Sequence, residues 1–300
     1  MKSKNPALIG ATMALTAAAL WGTTGTTQSF VTSHTSPYWI GALRLVVASV
    51  FFACVVVWGR SRGAQQGTFA FRKIWPWALL GGVAMAAYNL CFFAGVKATG
   101  IAAGTGVALG SGPVWIGLLE SVIARRPPRP LWWWGTALAV TGIGFILAGS
   151  GGDARFDPLG IGLCLAAGLG YAIYTLASKH LLDVATPAVA TCSVFTTAAL
   201  IAVPVAVLIS GPLEANSATW VLVGYLGVVT TGIAYLLFSH ALRYVSVATC
   251  VSLSLAEPVT AFVLAIVVVG EQPAAAAYAG LGLVLAGLLL VVWGETRRLR

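Results

Sequence analysis

Long apolar runs alternate with short polar breaks along the whole chain. A helix that crosses bilayer hydrocarbon needs about 20 mostly apolar residues. Ten stretches meet that need, at 8–29, 37–58, 75–97, 101–123, 131–148, 158–179, 187–209, 218–242, 246–269 and 274–293. Pro37, Pro130, Pro158, Pro187, Gly211-Pro212 and Pro273 punctuate them. The two-residue alternation of a membrane β-barrel is absent. The pattern predicts an all-α polytopic membrane protein with ten transmembrane helices. The opening "MKSKNPALIGATMALTAAALWG" mimics a signal peptide, but its apolar segment runs on to Thr27 and more such segments follow. It is read as a retained first helix.

Composition supports this. Hydrophobic residues make up 59% of the 300 and charged residues 8%, against about 25% charged in ordinary soluble domains. Lipid is therefore the expected solvent. The net charge of +9 forms no continuous basic face, so nucleic acid is not an expected partner. Its distribution instead sets orientation. With the N-terminus in the cytoplasm, Lys2, Lys4, Arg60, Arg62, Arg72, Lys73, Arg125, Arg126, Arg129, Lys179, Arg243, Arg297, Arg298 and Arg300 lie inside. Only Lys97 and Arg155 lie outside, and Arg44 falls within the second stretch. Both termini are expected in the cytoplasm, and the location is the cell's inner (plasma) membrane. The five cysteines all fall in apolar runs without a CxxC pair and read as free thiols.

The two halves repeat. Pro113, Pro128, Gly135, Gly142 and Gly149, each moved by 145 positions, land on Pro258, Pro273, Gly280, Gly287 and Gly294. Each half holds five spans, in units 1–149 and 157–294. An odd number inverts the second half relative to the first. Inverted repeats are characteristic of secondary transporters, whose binding site lies near the midplane between the halves. The glycines in the fifth and tenth stretches recur every seven residues and form smooth stripes. Such a stripe faces either a neighbouring span of the same chain or a second copy, so the protein is expected as a monomer or as a homodimer through helices five and ten.

Several motifs now resemble a known family: "ALWG" in the first span, "ALR" at 42–44, "ALRYVSVAT" before the ninth, "AEPV", and "GE" at 270–271. Together with the ten spans and the repeat, they resemble the EamA family of the drug/metabolite transporter superfamily. "YNLCFF" at 88–93 and the Gly/Pro pattern of the fourth span are similar to YddG-type exporters of aromatic and other amino acids. The resemblance implies a basket-shaped bundle. Spans one to four and six to nine would line a central cavity, with five and ten peripheral, and the activity would be export of small metabolites. Against that pattern, Gly112 stands where the second half has Glu257, and Arg126 where it has Glu271. Aromatic residues before the proline of span four are replaced by Gly110, Ser111 and Gly112, which implies a roomier pocket.

Polar groups at membrane depth are costly and usually face a bundle interior. Glu257 is the deepest: an acid at a helix centre costs about 2.5–3.5 kcal/mol on the insertion scale. It either contacts a substrate amine or carries a coupling proton, or else it bonds a neighbouring helix and holds the Pro258 bend. Pro113 and Pro258, with Gly110 and Gly112, are candidate hinges, because each proline frees a backbone carbonyl. Trp21, Tyr88, Asn89, Phe92, Tyr171, Tyr174 and Tyr235 sit well inside their spans, where aromatic rings stack on organic side chains or attract an ammonium. Plain helix packing is the other reading for each. Trp115 belongs to the same class. Arg44 either snorkels outward or binds a carboxylate within the bundle. Glu120, Lys97 and His240 read as anchors near span ends, and Trp132, Trp133 and Trp134 as an interface belt.

An enzyme is not expected. His34, His180 and His240 are scattered, there is no HExxH or Walker motif, and "GSGPVWIG" is no nucleophile elbow. Neither a cofactor nor a metal is expected. The expected activity is secondary-active or facilitative export of amino acids or similar small metabolites by alternating access. Export of other drug- or metabolite-like compounds is the alternative.

Overall fold

The structure is a computed structural model that describes residues 6–29, 35–62, 71–123, 125, 127–149, 157–270 and 272–298. Lys2, Lys4, His34, Arg126, Arg155, Glu271 and Arg300 lie outside the described residues. Among the described residues every regular element is a helix. Ten spans follow: Pro6–Ser29, Pro37–Ser61, Phe71–Thr99, Ile101–Val122, Pro130–Gly149, Pro158–Leu181, Pro187–Ser210, Ser217–Ala241, Val247–Val269 and Ala275–Arg298. They are called span one to span ten below.

Local chemistry sets the helix starts. Spans one, two, five, six and seven open on proline, whose missing N–H is one that a first turn leaves unpaired anyway. Ser36, Asp157 and Thr186 then accept hydrogen bonds from the backbone of Tyr38, Leu159 and Val189. Spans three and four are joined through Gly100 alone, at φ 91°, a conformation that glycine adopts without strain.

Among the described residues, nine helices are long and apolar enough to cross a membrane by length and composition. Span four is the tenth, and it lies against spans three, five, six and nine.

The packing follows the repeat. Span three packs on span six, and span eight on span one. Span four packs on span six, and span nine on span one. Spans two and seven pair with each other, and so do spans five and ten. Exchanging every span with the one five places away returns these pairings, as a pseudo-two-fold axis requires. The glycine stripes show it at atomic scale. A Cβ on Gly142 would lie 2.6 Å from the carbonyl oxygen of Gly280, and one on Gly280 would lie 2.5 Å from that of Gly142. Gly135 and Gly287 meet in the same reciprocal way. The glycine faces are thus buried against each other within one chain. A homodimer through spans five and ten would have to use their outward faces, where Trp134 and Leu289 are exposed.

Two spans depart from the straight helices that the apolar pattern predicts. Span eight contains a π-helical stretch, Leu226–Ile233, a wider winding found mostly as short bulges at functional sites. Span nine is broken into Val247–Leu253 and Ala256–Leu264, with a turn at Ser254–Leu255.

The expected equivalence of the two prolines does not hold. Pro113 sits inside an unbroken span four, with Gly110 and Gly112 beside it in continuous helix. Pro258 sits in the first turn of the second half of span nine, where a missing N–H breaks no ladder bond.

The Gly142 contact predicts a stability effect. Gly142→Leu should destabilise the purified protein by about 1–3 kcal/mol, as overpacking against an unyielding neighbour does, and so lower its apparent melting temperature. Gly144→Leu, where a Cβ would meet nothing within 4 Å, should leave it unchanged. A thermal scan in detergent micelles compares the two.

Candidate functional site

Eight of the spans were expected to line a central space, and seven of those do. A cavity of about 80 Å³ lies among spans one, two, three, four, six, eight and nine. Span one contributes Trp21 and Thr24, span two Arg44, and span three Tyr88 and Phe92. Leu109, Tyr171 and Tyr235 come from spans four, six and eight, and Ser254 and Glu257 from span nine. Close backbone approaches place these side chains. Gly22 lets span one lie directly on the break in span nine: a Cβ there would be 2.6 Å from the Glu257 carbonyl oxygen. The "WG" pair therefore aims an indole into the cavity and brings the neighbouring helix to it. Gly170 does the same for span six, with Ala84 and Tyr88 of span three in its path. It sets Tyr171 beside Tyr88, ring centroids 5.8 Å apart.

Of the residues expected at the site, Trp21, Arg44, Tyr88, Phe92, Tyr171, Tyr235 and Glu257 meet at this cavity. Asn89 and Tyr174 do not line it. Asn89 lies one step behind, buried, where its Oδ1 accepts a hydrogen bond from an Arg44 Nη2 and its Nδ2 donates to Met85 O at 3.0 Å. Tyr174 is fully buried among Tyr171, Phe195 and Tyr235. Gly110, Gly112 and Pro113 are buried in span four. A Cβ on Gly112 would touch Tyr171 and Val251, at 3.5 and 3.7 Å. Trp115 turns away and donates its indole N–H to Leu165 O at 3.0 Å. Of the three tryptophans that open span five, only Trp134 is exposed; Trp132 is buried and Trp133 packs over Gly117.

Thr24, Leu109 and Ser254 were missed. Thr24 and Ser254 each lie one turn from a residue singled out, Trp21 and Glu257, and that spacing was the available signal. Leu109 carries no signal in a run of apolar residues. Phe195 and Phe238 complete the aromatic layer behind the cavity, with centroids 4.8 Å from Tyr235 and 5.4 Å from Trp21 respectively.

The charges are arranged unusually. Arg44 does not snorkel outward; it faces inward, fixed by Asn89 and lying 5.9 Å from the Phe93 ring centroid. Glu257 faces the same cavity, yet no ion pair within 4.0 Å joins the two. Arg44 Nε, Trp21 Nε1 and the Tyr171 hydroxyl are buried without a hydrogen-bond partner. Buried polar groups of native proteins rarely stay unpaired. A cation, an anion and two free donors around one space are what a small ligand with both signs of charge would satisfy.

A second cavity, of about 570 Å³, lies where spans four, six, eight and ten end. Arg129, Lys179, Arg243, Glu120 and Glu295 line it. Glu295 accepts hydrogen bonds from Ser246 N at 3.0 Å and Thr249 Oγ1 at 2.7 Å, capping the start of span nine. Lys179 Nζ donates to Leu242 O at the end of span eight. Between the two cavities Tyr174, Phe238, Val251 and Leu253 are fully buried. In this state the central cavity is sealed from that end of the bundle.

Residues 8–148 and 158–293 each match the model of the EamA-like transporter family. The chain belongs to the EamA family. It is 35% identical over 284 residues to "Uncharacterized transporter YwfM" of Bacillus subtilis (strain 168), covering 92% of this chain and 91% of that protein. A solved crystal structure shares the fold at a TM-score of 0.81, covering 96% of this chain and 98% of that one at 22% identity. The two family matches fall on the two halves that the contact pattern relates. The chain is thus a multi-pass membrane transporter of the EamA family, and the cavity between its halves is its candidate site.

The seal predicts an accessibility pattern. In a cysteine-free background, Phe92→Cys should react with a hydrophilic methanethiosulfonate reagent. Tyr174→Cys, behind the aromatic layer, should not. Equal labelling at both positions would contradict the seal.

Proposed function

We propose that this transporter exports zwitterionic amino acids, with Arg44 holding the carboxylate and Glu257 the ammonium. The observation that carries the reading is the presence of Arg44 and Glu257 on one cavity without contact between them. An uncompensated charge at membrane depth is costly, and a ligand with a cation and an anion about one carbon apart compensates both at once. The walls fit. Tyr88, Tyr171, Trp21 and Tyr235 present aromatic faces, which attract an ammonium. The free Trp21 and Tyr171 donors suit carboxylate oxygens. A bound metabolite with one sign of charge would leave either Arg44 or Glu257 uncompensated. The break in span nine and the π-helical stretch of span eight support alternating access, in which hairpins three–four and eight–nine rock against one–two and six–seven. The Lys/Arg bias supports an inner (plasma) membrane location with both termini in the cytoplasm.

Counterflow of labelled amino acids into proteoliposomes tests the reading. Hydrogen bonds to charged groups contribute about 1.5–3 kcal/mol. Glu257→Gln and Arg44→Gln should therefore each lower exchange by about ten- to a hundredfold, with expression near normal. The decarboxylated amine and the N-acetylated acid should not compete. Absence of exchange for every amino acid, or full exchange by Glu257→Gln, would overturn the proposal.

A further inference from the structure

An apolar space of about 210 Å³ adjoins the central cavity. Leu109 and Glu257 line both spaces and form the wall between them. From that wall the second space runs between spans four, five and nine, past Gly106, Ile143, Phe262 and Ala265. Its side on span nine is built from Glu257, Ala261 and Ala265, spaced four apart on one helical face. Two alanines there leave a groove where larger residues would fill it. On span four, Thr105 and Leu109 stand one turn apart. Gly106 leaves room for the Leu147 side chain, which a Cβ would strike. Apart from Thr105 and Glu257, the lining is apolar.

We infer that this space receives the side chain of the transported amino acid, so that the site takes large apolar side chains, aliphatic or aromatic, with Leu109 as the residue the side chain passes. The inference rests on the amino-acid reading of the central cavity. The linings decide the division. Charged and polar groups line the central cavity of about 80 Å³, and the larger adjoining space of about 210 Å³ is lined almost wholly by apolar groups. Position decides the direction. An ammonium held by Glu257 lies at the shared wall, and the side chain that branches from the neighbouring carbon has the apolar groove directly beside it. The groove is nearly featureless chemically, so it selects by size and apolarity rather than by hydrogen bonding.

Counterflow with alanine, leucine and phenylalanine tests the assignment. The wild-type protein should exchange leucine at least as well as alanine. Ala265→Phe, which fills the groove, should lower the leucine-to-alanine ratio by about tenfold or more, the discrimination that one or two methylenes provide in an apolar pocket. Leu109→Ala should raise the phenylalanine-to-leucine ratio. If Ala265→Phe does not fold, Thr105→Phe fills the same space from the opposite wall and carries the test. Ratios within about twofold of wild type in the filled and the widened variants would overturn the inference and leave the groove to a lipid acyl chain. Wild-type exchange of alanine without leucine would overturn it too, while the amino-acid reading stands. Exchange of neither would overturn the inference, and absence of exchange for every amino acid would overturn both.

Discussion

Arg44 and Glu257 bring opposite charges to one small space inside the bundle, and no ion pair within 4.0 Å joins them. In hydrocarbon an unpaired charge is among the most costly features that a helix can carry. Neighbouring residues fix the position of each group. Asn89 is buried and fixes the guanidinium in place, itself tied to the Met85 carbonyl. Gly22 brings span one against the break in span nine, so Glu257 leaves a helix end rather than a helix middle. Trp21, Tyr88, Tyr171 and Tyr235 wall off the remaining sides with rings that accommodate a cation without supplying a counter-charge. A site that bound its own charges to each other would have nothing left for a ligand.

The pseudo-two-fold frame makes this arrangement possible, and the site lies where the frame is violated. Reciprocal glycine contacts between spans five and ten, with the pairing of spans two and seven, tie the two halves across the axis. Around that frame spans three and six mirror spans eight and one. A strictly symmetric cavity would present each chemical group twice. Here Gly112 packs against Tyr171 at the position where its counterpart, Glu257, faces the cavity. The backbone departs from symmetry at the same place, since span four runs straight through Pro113 while span nine breaks before Pro258. On the amino-acid reading, a substrate with distinct ends needs such a departure, and both the side chain and the backbone differ between the halves here.

The frame was legible in the sequence because its determinants are local or periodic. Apolar run length gave ten spans, proline and glycine gave their limits, and the 145-residue shift gave the inverted relation that the glycine contacts repeat. Much of the cavity was legible too, since a polar or aromatic residue deep in an apolar run has few reasons to be there. What failed was depth into the wall. Asn89 and Phe92 are equally conspicuous in sequence, yet one supports Arg44 from behind and the other faces the cavity. Helix rotation decides between them, and neighbouring spans set that rotation through contacts such as Gly170 against Tyr88. Leu109 was invisible for the opposite reason: an apolar residue in an apolar span is unmarked until its position between two spaces is known. The break in span nine was only half legible. Proline predicts a disturbed ladder but not whether the helix bends or stops, and identical reasoning applied to Pro113 predicted a hinge where the helix is continuous.

The position of that break ties the chemistry to the seal. On span nine, Ser246 to Thr249 line the larger cavity, Ser254 and Glu257 line the central one, and the turn at Ser254–Leu255 follows the fully buried Cys250 to Leu253. The first half of the span is held at its start by Glu295 of span ten. The second half is held by span one at Gly22. The two halves of one helix therefore belong to different neighbours, with the seal on one side of the joint and the acid on the other. On the alternating-access reading, a ligand that engages Glu257 acts on the outer half alone. Any displacement it causes is taken up at Ser254–Leu255, next to the layer that closes the larger cavity. An unbroken helix, like span four at Pro113, would instead carry the same displacement through its whole length and could not separate binding from sealing.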